Sequence, residues 1–258
     1  MVDKGEICYD IVIIQIGEKK MGINVEGYFQ SMQSPWGQLF YKILWNHLEF
    51  EGKQVLDFGS GFGITANHLA KKNQVIAIEP NEEVLEYRFT ENPYQQLIGS
   101  IERLKELPDQ SFDVIICHNV LEYVEDRKAV IHELTRLLKN DGFISLVKHN
   151  IPGVIMQKAV FQYNIDDCMK LLDGEHVGSA NFGVIREYTN SNLESYINGE
   201  LEICNQYGIR TFYALQSNDI KHEEDWITRM FELETRVEQI EEFRNISFFH
   251  HFELRKML

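Results

Sequence analysis

The stretch V-L-D-F-G-S-G-F-G, from Val55 to Gly63, decides the fold of this chain. Its apolar start and Asp57 predict a buried strand, and Ile64-Thr65-Ala66 predicts a helix directly after the glycines. In an open α/β sheet, ligands bind where the carboxyl end of a strand gives way to a helix. Glycines let the backbone approach a ligand closely and allow positive φ angles. The stretch therefore predicts a ligand-binding strand, loop and helix.

The chain from Lys53 to about Asn150 alternates between strand-like and helical patterns. The most regular helical pattern lies at Asp126–Asn140. Such alternation indicates βαβ units, and hence a parallel sheet with helices on both faces. The strand-like runs are Gln54–Phe58, Gln74–Ile78, Gln95–Ile98, Phe112–Cys117 and Phe143–Val147.

Beyond Asn150 the pattern changes, and residues 151–189 show no clean period. We interpret them as an insertion over the carboxyl edge of the sheet. Two late strands separated by a long helix suit a sheet that ends in an antiparallel pair. The elements predicted here are a helix from the capping box Ser191-x-x-Glu194 to Gly208, a strand at Ile209–Leu215, an acidic helix at Asp219–Phe243 and a strand at Ser247–Leu254.

The amino-terminal part precedes the predicted sheet. Tyr28–Leu48 is rich in aromatic residues and is predicted to be helical after Pro35, either as a lid over the site or as simple core cover. Ile11–Ile16 is too short for a membrane span and lacks a basic leader, so it predicts a strand. One structural domain is expected, with a cover segment (1–50), a Rossmann-like core (51–150) and a substrate region that completes the sheet (151–258).

The charge balance limits the partners of this protein. The 258 residues include 40 acids and 25 bases, which gives a formal net charge of −15. A broad basic face for nucleic acid is therefore disfavoured, although a local basic patch around one pocket remains compatible with this balance.

Cysteine and histidine spacing argues against a metal site. No C-x-x-C pair occurs, which predicts reduced thiols in a cytoplasmic protein rather than a disulfide framework or a zinc site. His250 and His251 are neighbours in a predicted strand, so their side chains point to opposite faces and would chelate poorly. No metal is expected. The cysteines are Cys8, Cys117, Cys168 and Cys204.

The glycine spacing distinguishes between possible ligands. A dinucleotide fingerprint reads G-x-G-x-x-G, whereas this loop reads G-x-G-x-G behind Asp57. A carboxylate there would repel a pyrophosphate but would attract the cationic amino and sulfonium groups of S-adenosylmethionine (SAM). Glu79 ends the next strand, where an acid can accept hydrogen bonds from the ribose hydroxyls of either SAM or NAD. The two features together favour SAM.

These motifs resemble those of the class I SAM-dependent methyltransferases. D-F-G-S-G-F-G is similar to their first motif, V-I-A-I-E-P-N to their second strand, and L-L-K-N-D-G-F-I-S-L-V to the helix, turn and fifth strand. The resemblance implies a seven-stranded α/β sheet whose last strand is antiparallel. Besides Asp57 and Gly63, it implies cofactor contacts from Gly59, Ser60 and Gly61 at the methionyl part, Glu79 at the ribose, Ser100 and Ile101 at the adenine, and His118 near the methionyl group.

A narrower resemblance extends past the SAM-binding half. The segments H-N-V-L-E-Y-V, I-S-L-V-K-H-N-I-P-G-V-I-M-Q, G-I-R-T-F and F-E-L-E-T-R are similar, in order, to segments of the bacterial tRNA 5-carboxymethoxyuridine methyltransferases. This resemblance implies methyl transfer to a carboxylate on a modified wobble uridine, with Arg210 holding the acidic substrate. Phe40 stands where those enzymes present an arginine that contacts SAM, and the acidic composition is unusual for a tRNA partner.

Several functional hypotheses stay open at this point. The acceptor is either a modified tRNA or a small metabolite, and a SAM-binding module without turnover and an NAD-dependent oxidoreductase are further alternatives. A carboxylate acceptor is already ionised at neutral pH and needs no general base, whereas a hydroxyl or amine acceptor would benefit from one. His149 is the candidate base, with substrate positioning or a structural role as alternatives, and Arg186 and Tyr188 could also face the pocket.

Overall fold

A computed structural model describes residues 24–179 and 183–257 of the chain. The strand predicted at Ile11–Ile16 and the cysteine at Cys8 lie outside the described residues. None of the helices in the described part is long and apolar enough to cross a membrane.

A seven-stranded sheet forms the centre of the fold, in the order β3-β2-β1-β4-β5-β7-β6. The first five strands pair in parallel, and β7 runs antiparallel to both of its neighbours, β5 and β6. The α/β fold with its antiparallel last strand is therefore confirmed. The strands are β1 (Gln54–Phe58), β2 (Gln74–Glu79), β3 (Gln95–Ile98), β4 (Phe112–His118), β5 (Leu138–His149), β6 (Leu201–Ile209) and β7 (Phe249–Lys256).

Helices cover both faces of this sheet, and a two-residue ribbon pairs Gly178–Ser179 with Gly183–Val184. Short 3₁₀ turns lie at Leu121–Tyr123 and Asp219–His222, and a π-helical turn at Gln157–Phe161 follows α7. The α-helices are α1 (Val25–Gln33), α2 (Pro35–Asn46), α3 (Ile64–Leu69), α4 (Glu82–Leu85), α5 (Ile101–Leu104), α6 (Arg127–Leu137), α7 (Ile151–Met156), α8 (Ile165–Leu172), α9 (Asn190–Ile197), α10 (Trp226–Val237) and α11 (Glu241–Arg244).

The two faces of the sheet bury separate apolar clusters. On one face, Val130, Leu134 and Leu137 of α6 pack against the central strands. On the other face, Leu39 and Ile43 of α2 belong to a cluster that includes residues of β5, β6 and β7. Because parallel strands are covered on both sides, their sequences read as continuous apolar runs, as the sequence of β4 does.

The carboxyl-terminal part differs from the sequence prediction in three places. The helix predicted to end at Gly208 stops at Ile197, and Leu201–Ile209 is instead the edge strand β6. The capping box consists of Thr189 and Asn192, not of Ser191 and Glu194. Leu201, Ile203 and Asn205 each pair with a residue of β7 in the sheet. Strand pairing therefore overrides the helical spacing of the apolar residues.

Three further elements differ from the sequence prediction. The strand predicted at Ile209–Leu215 is wrong, because the chain turns at Arg210, whose φ of 65° lies in the left-handed region. The acidic helix predicted at Asp219–Phe243 is divided into a 3₁₀ turn, α10 and α11. The predicted K-N-D-G turn is part of β5, at the place where strand pairing skips from Leu138 to Phe143.

The amino-terminal cover consists of two helices. The helix predicted after Pro35 is confirmed as α2, with Pro35 in its first turn and the Ser34 side chain capping the amide of Gly37. The preceding α1 was not predicted as a separate helix. Its Tyr28 and Met32 are buried in a small cluster with Phe62, which places the cover against the glycine loop.

We expect that Leu134→Ala lowers the free energy of unfolding by about 2–5 kcal/mol, because it removes a fully buried side chain from the core beneath α6. The matched control is Leu172→Ala at the end of α8, where the side chain is 65% exposed and a change within about 0.5 kcal/mol is expected. Urea unfolding measures both values. Equal effects of the two substitutions would contradict this assignment of the core.

Candidate cofactor and acceptor site

The glycine loop after β1 closes tightly over the end of β2. Gly59, Gly61 and Gly63 all have positive φ angles, of 77°, 53° and 68°. The amides of Gly59 and Ser60 both donate to the carbonyl of Ile78, at 2.9 and 3.0 Å. A Cβ on Gly63 would lie 2.1 Å from the Tyr94 hydroxyl, so this position requires glycine for both space and backbone angle.

A cavity lies at the carboxyl ends of β1 and β4, beneath the amino-terminal cover. Four of the sequence-predicted site residues line it, namely Asp57, Gly59, Ser60 and His118. The structure thus brings together the first motif and the end of the fourth strand, as the resemblance implied. The other lining residues are Tyr28, Met32, Gly37, Phe40, Tyr41, Ile64, Thr65 and Asn119.

Asp57 gives this cavity a buried acidic group. Its carboxylate oxygen Oδ2 is inaccessible and has no hydrogen-bond partner among the residues that the structure describes. Burial raises the pKa of Asp57 to about 7, while a backbone hydrogen bond from Ala66 lowers it. A buried carboxylate without a partner is unfavourable, so a cationic or hydrogen-bond-donating ligand group would be stabilised beside it.

Glu79 lies next to the cavity rather than in its lining. Its fully buried carboxylate accepts hydrogen bonds from the amides of Gly61 and Asn81, both at 2.9 Å. Burial raises its pKa to about 8, these two hydrogen bonds lower it, and the charge of Asp57 raises it. Each carboxylate oxygen keeps a second lone pair, so the predicted contact with a ribose remains chemically feasible.

Ser100 and Ile101 follow β3, and the structure does not place them in the described cavity lining. Ser100 is buried, and its hydroxyl has no partner within the described residues. Ile101 is half-buried and packs against the core below α6. Their position beside the end of β3 is compatible with an adenine contact, which stays a prediction.

His118 ends β4 and takes part in a row of buried polar side chains. Its Nε2 lies 2.7 Å from the Ser145 hydroxyl, which lies 2.8 Å from Nε2 of His251. His251 Nδ1 lies 2.9 Å from His47 Nδ1, and His47 Nε2 lies 2.9 Å from a carboxylate oxygen of Glu238. Burial, together with the charge of His47, lowers the pKa of His118 to about 3. Sequence reasoning missed this row, because its members come from separate parts of the chain.

The candidate base His149 is committed to a buried ion pair. Its amide and its Nδ1 both contact Glu122 Oε1, at 2.8 and 3.1 Å. Burial alone would raise the pKa of Glu122, but hydrogen bonds and charge from His149 hold it below its ordinary value. His149 Nε2 is buried without a partner in the described part of the chain. A carboxylate on Nδ1 and an unpartnered Nε2 suit the role of a base as well as the positioning and structural roles that the sequence left open.

Arg210 lies at the same edge of the sheet as His149. Ile209, Phe249 and His149 pair in register across β6, β7 and β5. The Arg210 guanidinium lies 4.9 Å from the ring centre of Phe248, and the His149 ring lies 5.5 Å from the same phenylalanine. The Arg210 side chain is almost completely buried. Burial raises the pKa of the Glu234 carboxyl, whereas the charge of Arg210 lowers it. The left-handed backbone conformation of Arg210 is of a kind that clusters at functional sites.

The remaining candidates are divided between surface and core. Arg186 is exposed, in keeping with an ordinary loop charge. Tyr188 is buried between Lys148 and Arg127, at 4.9 and 4.8 Å from its ring centre. Residues of the cover that line the cavity, such as Tyr28 and Tyr41, were not predicted individually. Their aromatic character was the only sequence signal.

Metal-binding side chains do not converge in the described residues, where no group of three or more His, Cys, Asp or Glu could hold an ion. His251 contacts Ser145 and His47, whereas His250 contacts the carbonyl of Arg244 at 2.9 Å. The two neighbouring histidines therefore serve opposite faces of β7, as the strand pattern predicted.

Comparison with known proteins agrees with this geometry. Residues 56–146 match the protein family described as "Methyltransferase domain". Over these residues the chain is similar to methyltransferase domains. The structure of a SAM-dependent methyltransferase from Mesorhizobium loti aligns with 86% of this chain and over 100% of its own length. The TM-score is 0.58 and the sequence identity is 17%, so this likeness shows the fold.

Curated relatives divide into two groups by coverage. The ubiquinone biosynthesis O-methyltransferase of Neisseria meningitidis serogroup C is 32% identical over 114 residues, which are 40% of this chain and 48% of that protein. The chain thus spans about half the length of this relative. The tRNA 5-carboxymethoxyuridine methyltransferase of Escherichia coli O157:H7 is 26% identical over 236 residues, 85% of this chain and 89% of that protein.

The residues of this site fit SAM, the ligand that the sequence favours. The partnerless oxygen of Asp57 suits a cationic amino group, and the glycine loop offers space and backbone amides. When bound, SAM supplies an electrophilic methyl group on a positively charged sulfur. We therefore retain Asp57, Gly59, Ser60, Gly61, Gly63, Glu79 and His118 as the proposed cofactor contacts.

We expect the affinity for SAM to rise as the pH increases from about 6 to about 8. Burial raises the pKa of Asp57 to about 7 and that of Glu79 to about 8, so both carboxyls gain charge across this window. The ionised forms attract the cationic ligand, and binding should therefore release protons. Calorimetry at several pH values, in buffers of different ionisation enthalpy, measures both effects.

The matched variants for this prediction are Asp57→Asn and Asp109→Asn. The first should weaken SAM binding by about 1.5–3 kcal/mol and remove much of the pH dependence, since a charge-assisted contact is lost. Asp109→Asn changes an exposed acid that pairs with Arg136, and this variant should bind SAM as tightly as the unchanged protein does. An affinity that is flat between pH 6 and 8 would contradict the role of these carboxyls.

Proposed function

We propose that this protein transfers the methyl group of SAM to an acceptor that carries an acidic group. The observation that supports the proposal is the common edge of the sheet, which holds an acidic cofactor cavity at β1 and β4 and a buried cation, Arg210, after β6. Methyl transfer needs the acceptor atom, the methyl carbon and the sulfur in line, with water excluded. Alignment of this kind contributes on the order of 7–11 kcal/mol to catalysis.

The first candidate acceptor is a carboxylate on a modified wobble uridine of tRNA. The similarity to the tRNA methyltransferase of E. coli O157:H7 spans most of both chains. A buried guanidinium beside an aromatic ring suits a planar carboxylate, because Arg donates two parallel hydrogen bonds to such a group. The acceptor carboxylate would be ionised at neutral pH and would need no base.

The second candidate is a small metabolite. The net charge of −15 favours it, since a tRNA backbone would be repelled by most of the surface. The half-length relatives named as ubiquinone biosynthesis O-methyltransferases support transfer to an oxygen of a small molecule. The two candidates differ in whether the acceptor atom brings a proton, because a hydroxyl does and a carboxylate does not.

Transfer of a radiolabelled SAM methyl group distinguishes the candidates. One reaction contains total tRNA that lacks wobble methylation, and a second contains a small-molecule extract of the same cells. Label in the tRNA supports the first candidate, and label only in the small molecules supports the second. SAM binding without label in either pool would contradict the proposed function and favour a SAM-binding module. Binding of NAD without binding of SAM would favour an oxidoreductase.

We expect that Arg210→Gln raises the KM for the labelled acceptor roughly ten- to a hundredfold, which corresponds to about 1.5–3 kcal/mol for a lost charge-assisted hydrogen bond. Arg210→Lys keeps the charge and should recover part of the affinity. Arg229→Gln, which changes an exposed arginine of α10, is the control. Unchanged SAM binding would show that the Arg210 variants remain folded. An unaltered KM in folded Arg210→Gln would exclude the proposed role.

A further inference from the structure

The row of polar side chains that begins at His118 runs from the cavity to His47 at the carboxyl-terminal end of α2. His118 lines the cavity, and Ser145 and His251 are buried behind it. His47 and Glu238 end the row, where their side chains are 5% and 12% exposed. Every step is a hydrogen-bond distance between 2.7 and 2.9 Å. Such a continuous row can carry a proton without moving a heavy atom.

The carboxylate of Glu238 sets the direction of every hydrogen bond in the neutral row. A carboxylate only accepts, so His47 Nε2 carries a proton and its Nδ1 accepts from Nδ1–H of His251. His251 Nε2 then accepts from the Ser145 hydroxyl, whose oxygen accepts from Nε2–H of His118. His118 Nδ1 is left with a lone pair, and it makes no hydrogen bond to the residues that the structure describes.

We infer that His118 is the base that removes a proton from the acceptor, and that a proton is relayed through Ser145 and His251 to His47. The methylated atom is therefore a protonated oxygen or nitrogen, so this inference selects the second candidate acceptor over the wobble-uridine carboxylate. This inference rests on the proposed methyl transfer. The acceptor oxygen of a hydroxyl substrate, for example, would use a lone pair to bond the methyl carbon, while the carbon–sulfur electron pair stays with sulfur. The O–H proton then moves to His118 Nδ1.

The row explains how a deeply buried histidine can act as a base. Burial lowers the pKa of His118 to about 3 and holds the pKa of His251 well below its ordinary value, so neither ring can keep a positive charge. If the protons move together, neither buried ring has to hold a positive charge. The proton on His118 Nε2 passes to the Ser145 oxygen, and the Ser145 proton passes to His251 Nε2. The proton on His251 Nδ1 passes to His47 Nδ1. The positive charge appears only on His47.

His47 lies where a cation is favoured. It follows the last residue of α2 and caps that helix, so it lies at the carbonyl end of the helix dipole. The Glu238 carboxylate is 2.9 Å away, and the Tyr207 ring stacks on the imidazole at 4.2 Å. At the other end of the row, the cavity lining contains three titratable side chains in addition to His118. They are Asp57, Tyr28 and Tyr41.

Nitrogen-15 NMR of the histidine rings tests the row without needing the acceptor. The full-length protein, labelled at histidine and saturated with S-adenosylhomocysteine, is compared with Ser145→Ala, Glu238→Gln and the control Glu232→Gln. The ring signals that are absent from the spectrum of His118→Gln are assigned to His118. We expect His118 to carry its proton on Nε2 in the unchanged protein and in Glu232→Gln, whose side chain is exposed on α10. In Ser145→Ala both tautomers should be populated, and in Glu238→Gln the preference should weaken.

Two results of this experiment would overturn the inference. One is a proton on His118 Nδ1 in the unchanged protein, since no base would then face the cavity. The other is an unaltered His118 signal in Ser145→Ala, since the serine would then not connect the rings. SAM binding measured by calorimetry confirms that each variant is folded.

The rate of methyl transfer to whichever labelled pool accepts the group tests the base role itself. Because general-base catalysis contributes on the order of 10²–10⁴-fold, Ser145→Ala should lower kcat at least about a hundredfold while SAM affinity stays unchanged. An unaltered kcat in Ser145→Ala would show that the acceptor is already ionised, which rejects the base and leaves the proposed methyl transfer standing. No transfer by the unchanged protein would reject the proposed function instead, and the NMR result would still decide the state of the row.

Discussion

Parallel hydrogen bonding of β1 with β2 on one side and with β4 on the other brings three strand ends to the same edge of the sheet. The strand ends carry Asp57, Glu79 and His118, which are all buried. Because the glycine loop turns back over Ile78, its amides help to satisfy the acid at the end of β2. The rest of the candidate site depends on this edge, because the cavity beneath the cover helices lies at it.

The same constraint explains why part of the candidate site could be predicted from the sequence. Asp57, the three glycines and Glu79 lie within one βαβ unit, where spacing along the chain fixes spacing in the structure. The apolar runs of the parallel strands were also readable, because burial on both faces leaves no alternating pattern. The edge strand β6 was not readable in this way. Its apolar residues fit a helical period as well, and only pairing with β7 decides between the two.

The parts that sequence could not predict depend on contacts between distant segments. Glu122 and His149 are 27 residues apart, and their contact follows from adjacent strand ends rather than from a motif. His47 and Glu238 are 191 residues apart. A histidine in a single sequence carries no sign of its partner, so the most informative polar contacts of this fold were invisible until the sheet order was known.

The antiparallel strand β7 gives the sheet a connection that a purely parallel order would lack. Because β7 is inserted between β5 and β6, His251 lies opposite Val147 on one side and Tyr207 on the other. Val147 also pairs with His118, and Ser145 lies two residues earlier on the same face of β5. The face that buries these polar groups is the one covered by α2, which delivers His47 at its end. Strand order thus connects a histidine of the cavity lining with the Glu238 carboxylate through three intervening side chains. Burial lowers the pKa of His118 and His251, and a row of neutral groups is the condition for passing a proton without holding a charge in the core.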